Sequence, residues 1–93
     1  MDFRQLRHML SSKLGATEDR QGNHLYYFLS VGDKEHRVGK VSHSSRGSET
    51  VPDFIVSDTS RRLRLNKAEL LQLVGCSIDK DQHKKLWLER EQP

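Results

Sequence analysis

Residues 24–31 read His-Leu-Tyr-Tyr-Phe-Leu-Ser-Val, an aromatic and aliphatic run that favours pleated over helical backbone. Alternation puts Leu25, Tyr27, Leu29 and Val31 on one face and His24, Tyr26, Phe28 and Ser30 on the other. The first set is assigned to the core. Gly32-Asp33-Lys34-Glu35 is turn chemistry, so a return strand is expected from His36 to Val41. Gly22-Asn23 stands at the mouth of this hairpin and Ser42-His43 at its exit. In the return strand Val38 and Val41 fall on opposite parity. Gly39 between them predicts either a bulge or the close approach of a ligand to the backbone.

The flanking chain has a different period. Phe3, Leu6, Leu10 and Leu14 recur at steps of three and four, with Met9 beside them. Asp2 can cap that helix and Gly15 can end it. Arg4, Gln5, Arg7, His8, Ser11 and Ser12 are left for its solvated side. Hydrophobic residues make up 33% of the chain and charged residues 31%, so each helix should carry one apolar stripe rather than an apolar circumference. Ala16 to Gln21 can supply a short edge strand or an extended lead-in. Ser42 to Thr50 reads as a polar loop.

Pro52 suits the first turn of a second helix with Val51, Ile55, Thr59 and Leu63, flanked by Phe54 and Val56, on its apolar side. Asn66 and Glu69 stand at capping-box spacing and open a third helix, which Gly75 stops. A last helix follows Ser77-Ile78-Asp79, with Trp87 docking it. The expected class is α+β: an α-β-β-β-α core with a three-stranded antiparallel sheet and helices on one face, plus C-terminal helices. The core spans residues 1–66, and residues 67–93 form a helical extension of the same domain.

A net charge of +3 permits an anionic partner without demanding one. The single cysteine, Cys76, excludes an internal disulfide, suits a reducing compartment and is expected as a small buried side chain. No apolar run reaches the length of a membrane span and no secretory leader is evident, so a cytoplasmic protein without membrane association is expected. His24, His36 and His43 lack the paired spacing that holds zinc, and neither a metal nor another cofactor is expected.

One histidine at a glycine-marked strand entrance carries the chemical interest. An imidazole can take a proton from a ribose 2′-hydroxyl, which supplies its own nucleophile for RNA cleavage. Arg37, Lys40 and Arg46 could meet phosphates, and Tyr26 or Phe28 could stack on bases. The residues leave the plainer reading open, in which His24 merely ends a strand and Tyr26 and Phe28 are core.

The order helix, short strand, hairpin, helix, with Gly22-Asn23-His24 at the hairpin's start and Ser42-His43 after the return strand, resembles the HicA family. Its members are small mRNA interferase toxins of toxin–antitoxin pairs, built on a fold related to the double-stranded RNA-binding domain. The resemblance spans roughly residues 3 to 65. It implies that His24 is the catalytic general acid/base, that Asn23, Arg37, Lys40, His43 and Arg46 contact RNA, and that a cognate antitoxin protein silences the activity. Asn23 replaces the family's serine, the loop after His43 is longer, and the two helices after Asn66 are additional. Two alternatives stand beside this reading. One is a non-catalytic RNA-binding module, for which Arg61, Arg62 and Arg64 are further phosphate contacts. The other is a protein-interaction domain using the C-terminal helices.

Overall fold

A computed structural model describes residues 1–42 and 47–91. The class is α+β, with element order α1 (Phe3–His8), a π turn (Met9–Lys13), β1 (Thr17–Gln21), β2 (His24–Val31), β3 (Lys34–Ser42), α2 (Asp53–Arg62), α3 (Lys67–Val74) and α4 (Lys80–Glu91). Backbone contacts group the chain into two compact units, Met1–Val51 and Pro52–Pro93. The helix α2 is therefore described with the helices that follow it.

The first unit is an antiparallel sheet in the order β1-β2-β3 with α1 against one face. Both connections are two-residue hairpins, because Gln21 pairs with His24 and Val31 with Lys34. Gly22 and Gly32 take φ of +60° and +62°, the left-handed conformation required at the first central position of such turns. The second turn is shorter than the four-residue break read from the sequence, and β3 starts earlier and ends later than expected.

The parity conflict in β3 is resolved by one extra residue. Tyr27 pairs with Gly39 but Phe28 with Arg37, so Val38 is the bulged residue. Val38 and Val41 thereby both reach the core, beside buried Leu25 and Tyr27. Leu29 and Val31, assigned to the same face, are only half-buried. The close approach at Gly39 comes from the chain itself rather than a ligand. A Cβ built there would lie 2.7 Å from Leu10 Cδ1, so the missing side chain is what lets the π turn after α1 settle onto the sheet.

The amides of the first turn of α1 are all used. Gln5 N donates to Asp2 Oδ1 at 2.8 Å, and Gln5 Oε1 accepts from Asp2 N at 2.9 Å, completing a capping box. Phe3 N and Arg4 N donate to the carbonyls of Glu49 and Gly47, both at 3.0 Å. The far end of the polar loop is thus tied to the helix start, where unpaired amides would otherwise need water.

In the second unit the capping box at Asn66 and Glu69 forms as expected. Asp79 and Gln82 make a further one ahead of α4. The helix ends depart from expectation. Both α2 and α3 close with paired back-bonds: Leu65 N to Ser60 O and Arg64 N to Arg61 O, then Ser77 N to Gln72 O and Cys76 N to Leu73 O. The left-handed residue is Arg64 in one case and Cys76 in the other, at φ of +64° and +69°. Gly75 sits one position too early to take that role. Cys76 is consequently exposed, not buried, since the reversing backbone carries its side chain out of the helix stripe.

Trp87 is fully buried, as a docking residue should be. The His83 and Trp87 ring centroids lie 5.9 Å apart with the planes at 75°, and the Arg64 guanidinium carbon lies over the indole, 4.5 Å from its centroid. His83 is also buried, and its Nε2 donates to Leu63 O at 3.0 Å. Glu69 accepts from both Arg90 Nη1 and Nη2 at 2.8 Å, and Arg90 Nη1 also donates to Arg64 O at 2.6 Å. The Arg90 bonds, with the Asn66 amide, hold the Glu69 carboxyl down to about 2. Phe54, expected on the apolar side of α2, is exposed, as are Leu71 and Leu88.

Burial holds the His83 imidazole below its ordinary value near 6.5, against the weaker opposing effect of the Leu63 carbonyl. In the unfolded chain the imidazole takes up a proton as pH falls below 6.5, while the folded chain resists. Stability should therefore drop as pH is lowered from 6.5 and level off once the buried ring protonates. The Glu69 contribution is lost separately, as pH falls from 4.5 towards about 2. Urea midpoints across this range should decline in the upper window, and His83→Gln should flatten that decline. A flat wild-type profile above pH 4.5 would contradict the assignment.

Candidate nucleic-acid interface

The bulge in β3 does more than bury two valines. Arg37 and Lys40 are three residues apart, so an uninterrupted strand would send them to opposite faces. With Val38 inserted, Arg37 pairs with Phe28 and Lys40 with Tyr26, and both cations stand on the face away from α1. His24 pairs with Ser42 on that same face. Four of the residues singled out from the sequence, His24, Tyr26, Arg37 and Lys40, are thus brought together.

Tyr26 is the centre of the group. The Arg37 guanidinium carbon lies 5.6 Å from its ring centroid and Lys40 Nζ 5.8 Å. The His24 ring is 6.2 Å away, tilted by 47°. Arg37 and Lys40 are exposed, whereas His24, Tyr26 and Phe28 are partly exposed, so the aromatic rings are not core in the sense that Tyr27 is. The nearest acidic group on this face is Asp19, paired across from Tyr26; its Oδ2 accepts from Gln21 Nε2 at 2.8 Å. Asn23 is exposed in the turn directly before His24. His43 and Arg46 lie outside the described residues.

No known family model, curated protein or solved structure matches the chain. The functional argument therefore rests on the chemistry of the face itself. It offers a ring for stacking, two exposed cations close to it and an imidazole one row away. Such a surface suits a flexible polyanion carrying planar groups.

The arginines at the end of α2 are engaged elsewhere. Asp58 takes Arg61 at 3.1 Å and Arg62 at 2.9 Å, and Arg64 covers Trp87. They serve the second unit's own structure, which weakens the case for them as phosphate contacts. Among the described residues no three His, Cys, Asp or Glu side chains converge as a metal site would require. No helix among them is long and apolar enough to cross a membrane.

Sequence reasoning passed over a second polar surface. The solvated side of α1 and the π turn forms one wall of a cleft of about 340 Å³, closed by Glu18 of β1 and by Gly47. The helical spacing of Arg4, Arg7, His8, Ser11 and Ser12 was the available signal, but it does not show that Glu18 and Gly47 face them.

Proposed function

We propose that the Tyr26 face of the sheet binds single-stranded RNA and that His24 acts on the bound strand as general acid/base in a metal-independent endoribonuclease. The observation that carries this reading is the bulge-dependent placement of Arg37 and Lys40 on one face, both close to the Tyr26 ring and on the same face as His24. A duplex hides the flat surfaces of its bases, whereas an unpaired strand can lay one on Tyr26 while its flanking phosphates meet the two cations.

The reaction asks little of the protein. Neutral His24 removes the proton of a ribose 2′-hydroxyl, and that oxygen attacks the adjacent phosphorus. The bond from phosphorus to the 5′-oxygen breaks, and the departing oxygen takes a proton from the imidazolium. A 2′,3′-cyclic phosphate and a 5′-hydroxyl result, with no external reactant consumed. Arg37 and Lys40 would offset charge as it builds on the phosphoryl oxygens. The resemblance to HicA toxins supports the same residue in the same role. It also implies an antitoxin protein, for which covering the partly exposed His24 is the direct means of silencing.

Binding is tested through its salt dependence. Each phosphate contact on a single strand contributes about 0.7 to the slope of log affinity against log salt, so changing Arg37 and Lys40 together to alanine should reduce the slope by about 1.4. Tyr26→Ala should weaken binding by ~1–3 kcal/mol without altering that slope, because stacking is uncharged. A slope unmoved by the double change would remove the sheet face from RNA binding. A face that binds RNA and never cuts it would instead indicate the non-catalytic module.

A further inference from the structure

The cleft beside α1 lies on the opposite side of the sheet from Tyr26, and its chemistry is distinct. Arg4, His8 and Ser12 are exposed, and their side chains have no hydrogen-bond or ionic partner among the described residues. Arg7, in contrast, is held. Its Nε donates to the Tyr27 hydroxyl at 3.2 Å, and its Nη2 lies 3.8 Å from Glu18 Oε2. Tyr27 in turn donates to Glu18 Oε2 at 2.7 Å. Burial, with Glu18 adding to it, pushes the Tyr27 hydroxyl up to about 12, so it keeps its proton at neutral pH. Glu18, the carboxylate among the described lining residues, orients Arg7 and is partly offset by its charge.

The backbone adds a second observation. The helix widens into a π turn at Met9–Lys13, with Leu14 N donating to Met9 O at 3.0 Å. Such turns are rare and recur where a helix is adapted to a site. Here the widened turn carries Ser11 and Ser12 along the wall that Arg4, Arg7 and His8 begin.

We propose that this cleft binds a phosphate monoester, carried by a mononucleotide or by the 5′ end of an RNA strand. Two guanidiniums, one of them preoriented, offer the planar paired donors that phosphate oxygens accept. The Ser12 hydroxyl and the His8 ring supply further donors for a tetrahedral group with three terminal oxygens. The volume of about 340 Å³ is at the small end of the range for ligand clefts and fits a phosphate with one attached residue.

The test uses the full chain followed by amide NMR, with AMP, adenosine, and one short RNA in 5′-phosphorylated and 5′-hydroxyl forms. AMP should shift the resonances of Arg4, His8, Ser12 and Gly47 saturably, and adenosine should not. Arg4→Gln should weaken AMP roughly tenfold, as expected for a lost charge-assisted contact, with melting unchanged because Arg4 is exposed. Equal shifts from AMP and adenosine, or an Arg4→Gln affinity within about twofold of wild type, would overturn the proposal. A roughly tenfold preference for the phosphorylated RNA would assign the strand end, and equal RNA affinities with retained AMP shifts would assign the free nucleotide. Since Arg4 is remote from the Tyr26 face, loss of AMP binding there would leave the salt dependence of the sheet face intact.

Discussion

His24→Ala should reduce RNA cleavage by about 10²–10⁴-fold, the usual worth of a positioned acid/base, and should abolish any growth arrest that expression of the wild type causes. The same change should leave folding nearly untouched. His24 opens β2, its ring is partly exposed, and its recorded side-chain contact is the tilted Tyr26 ring at 6.2 Å. A surface substitution of that kind moves stability by no more than ~0.5 kcal/mol. Binding should also persist, because the cations and the stacking ring remain. Cleavage of an end-labelled RNA, read beside a thermal melt and a binding titration, separates these effects. A wild-type protein that leaves RNA whole, or a variant that cuts as fast, would end the nuclease reading.

Trp87→Ala should be the most damaging single change to the fold, at about 3–5 kcal/mol. The indole is fully buried, and its removal deprives two neighbours of their contact: the His83 ring, centroid to centroid at 5.9 Å, and the Arg64 guanidinium, 4.5 Å from the indole centroid. Arg64 matters most here. It occupies a left-handed backbone position that costs a non-glycine residue about 1–2 kcal/mol, offset by its seat on the indole and by the Arg90 bond to its carbonyl. Losing the ring therefore loosens the end of α2 as well as α4. Melting followed by far-UV circular dichroism should fall by roughly 15–30 °C. Trp87→Phe, which keeps an aromatic face beneath Arg64, should cost less. A loss below ~1 kcal/mol for the alanine variant would show that the indole does not anchor the last helix.

The α+β class was readable because two periods alternate along the chain. The apolar run of β2 and the stripe of Phe3, Leu6, Leu10 and Leu14 need no tertiary information. Asp2 and Asn66 announced their helices because a cap is a bond between residues three apart. What escaped depends on contacts that sequence spacing does not express. Glycine is the ordinary sign of a left-handed helix end, so Arg64 and Cys76 gave no warning, and Cys76 was placed inside. Gly39 did signal irregularity, but whether a ligand or Leu10 approached it depended on where α1 lay. At the candidate site, His24 and the two cations were identified individually. That Arg37 and Lys40 share a face could not follow from their spacing, which a regular strand would separate. For the cleft, helical spacing does not tell that Glu18 of the next strand and Gly47, far along the chain, stand opposite.

Tight hairpins have one further outcome: among the described residues the sheet has three strands, and β1 and β3 are its borders. Every residue of β1 is exposed, and its side chains run Thr-Glu-Asp-Arg-Gln; the opposite border shows Lys34, Glu35, Arg37 and Lys40. Charge of both signs on such borders discourages copies of the chain from zipping together into ribbons. It also selects what may join there, since an incoming extended segment must answer those charges in register before its backbone can pair.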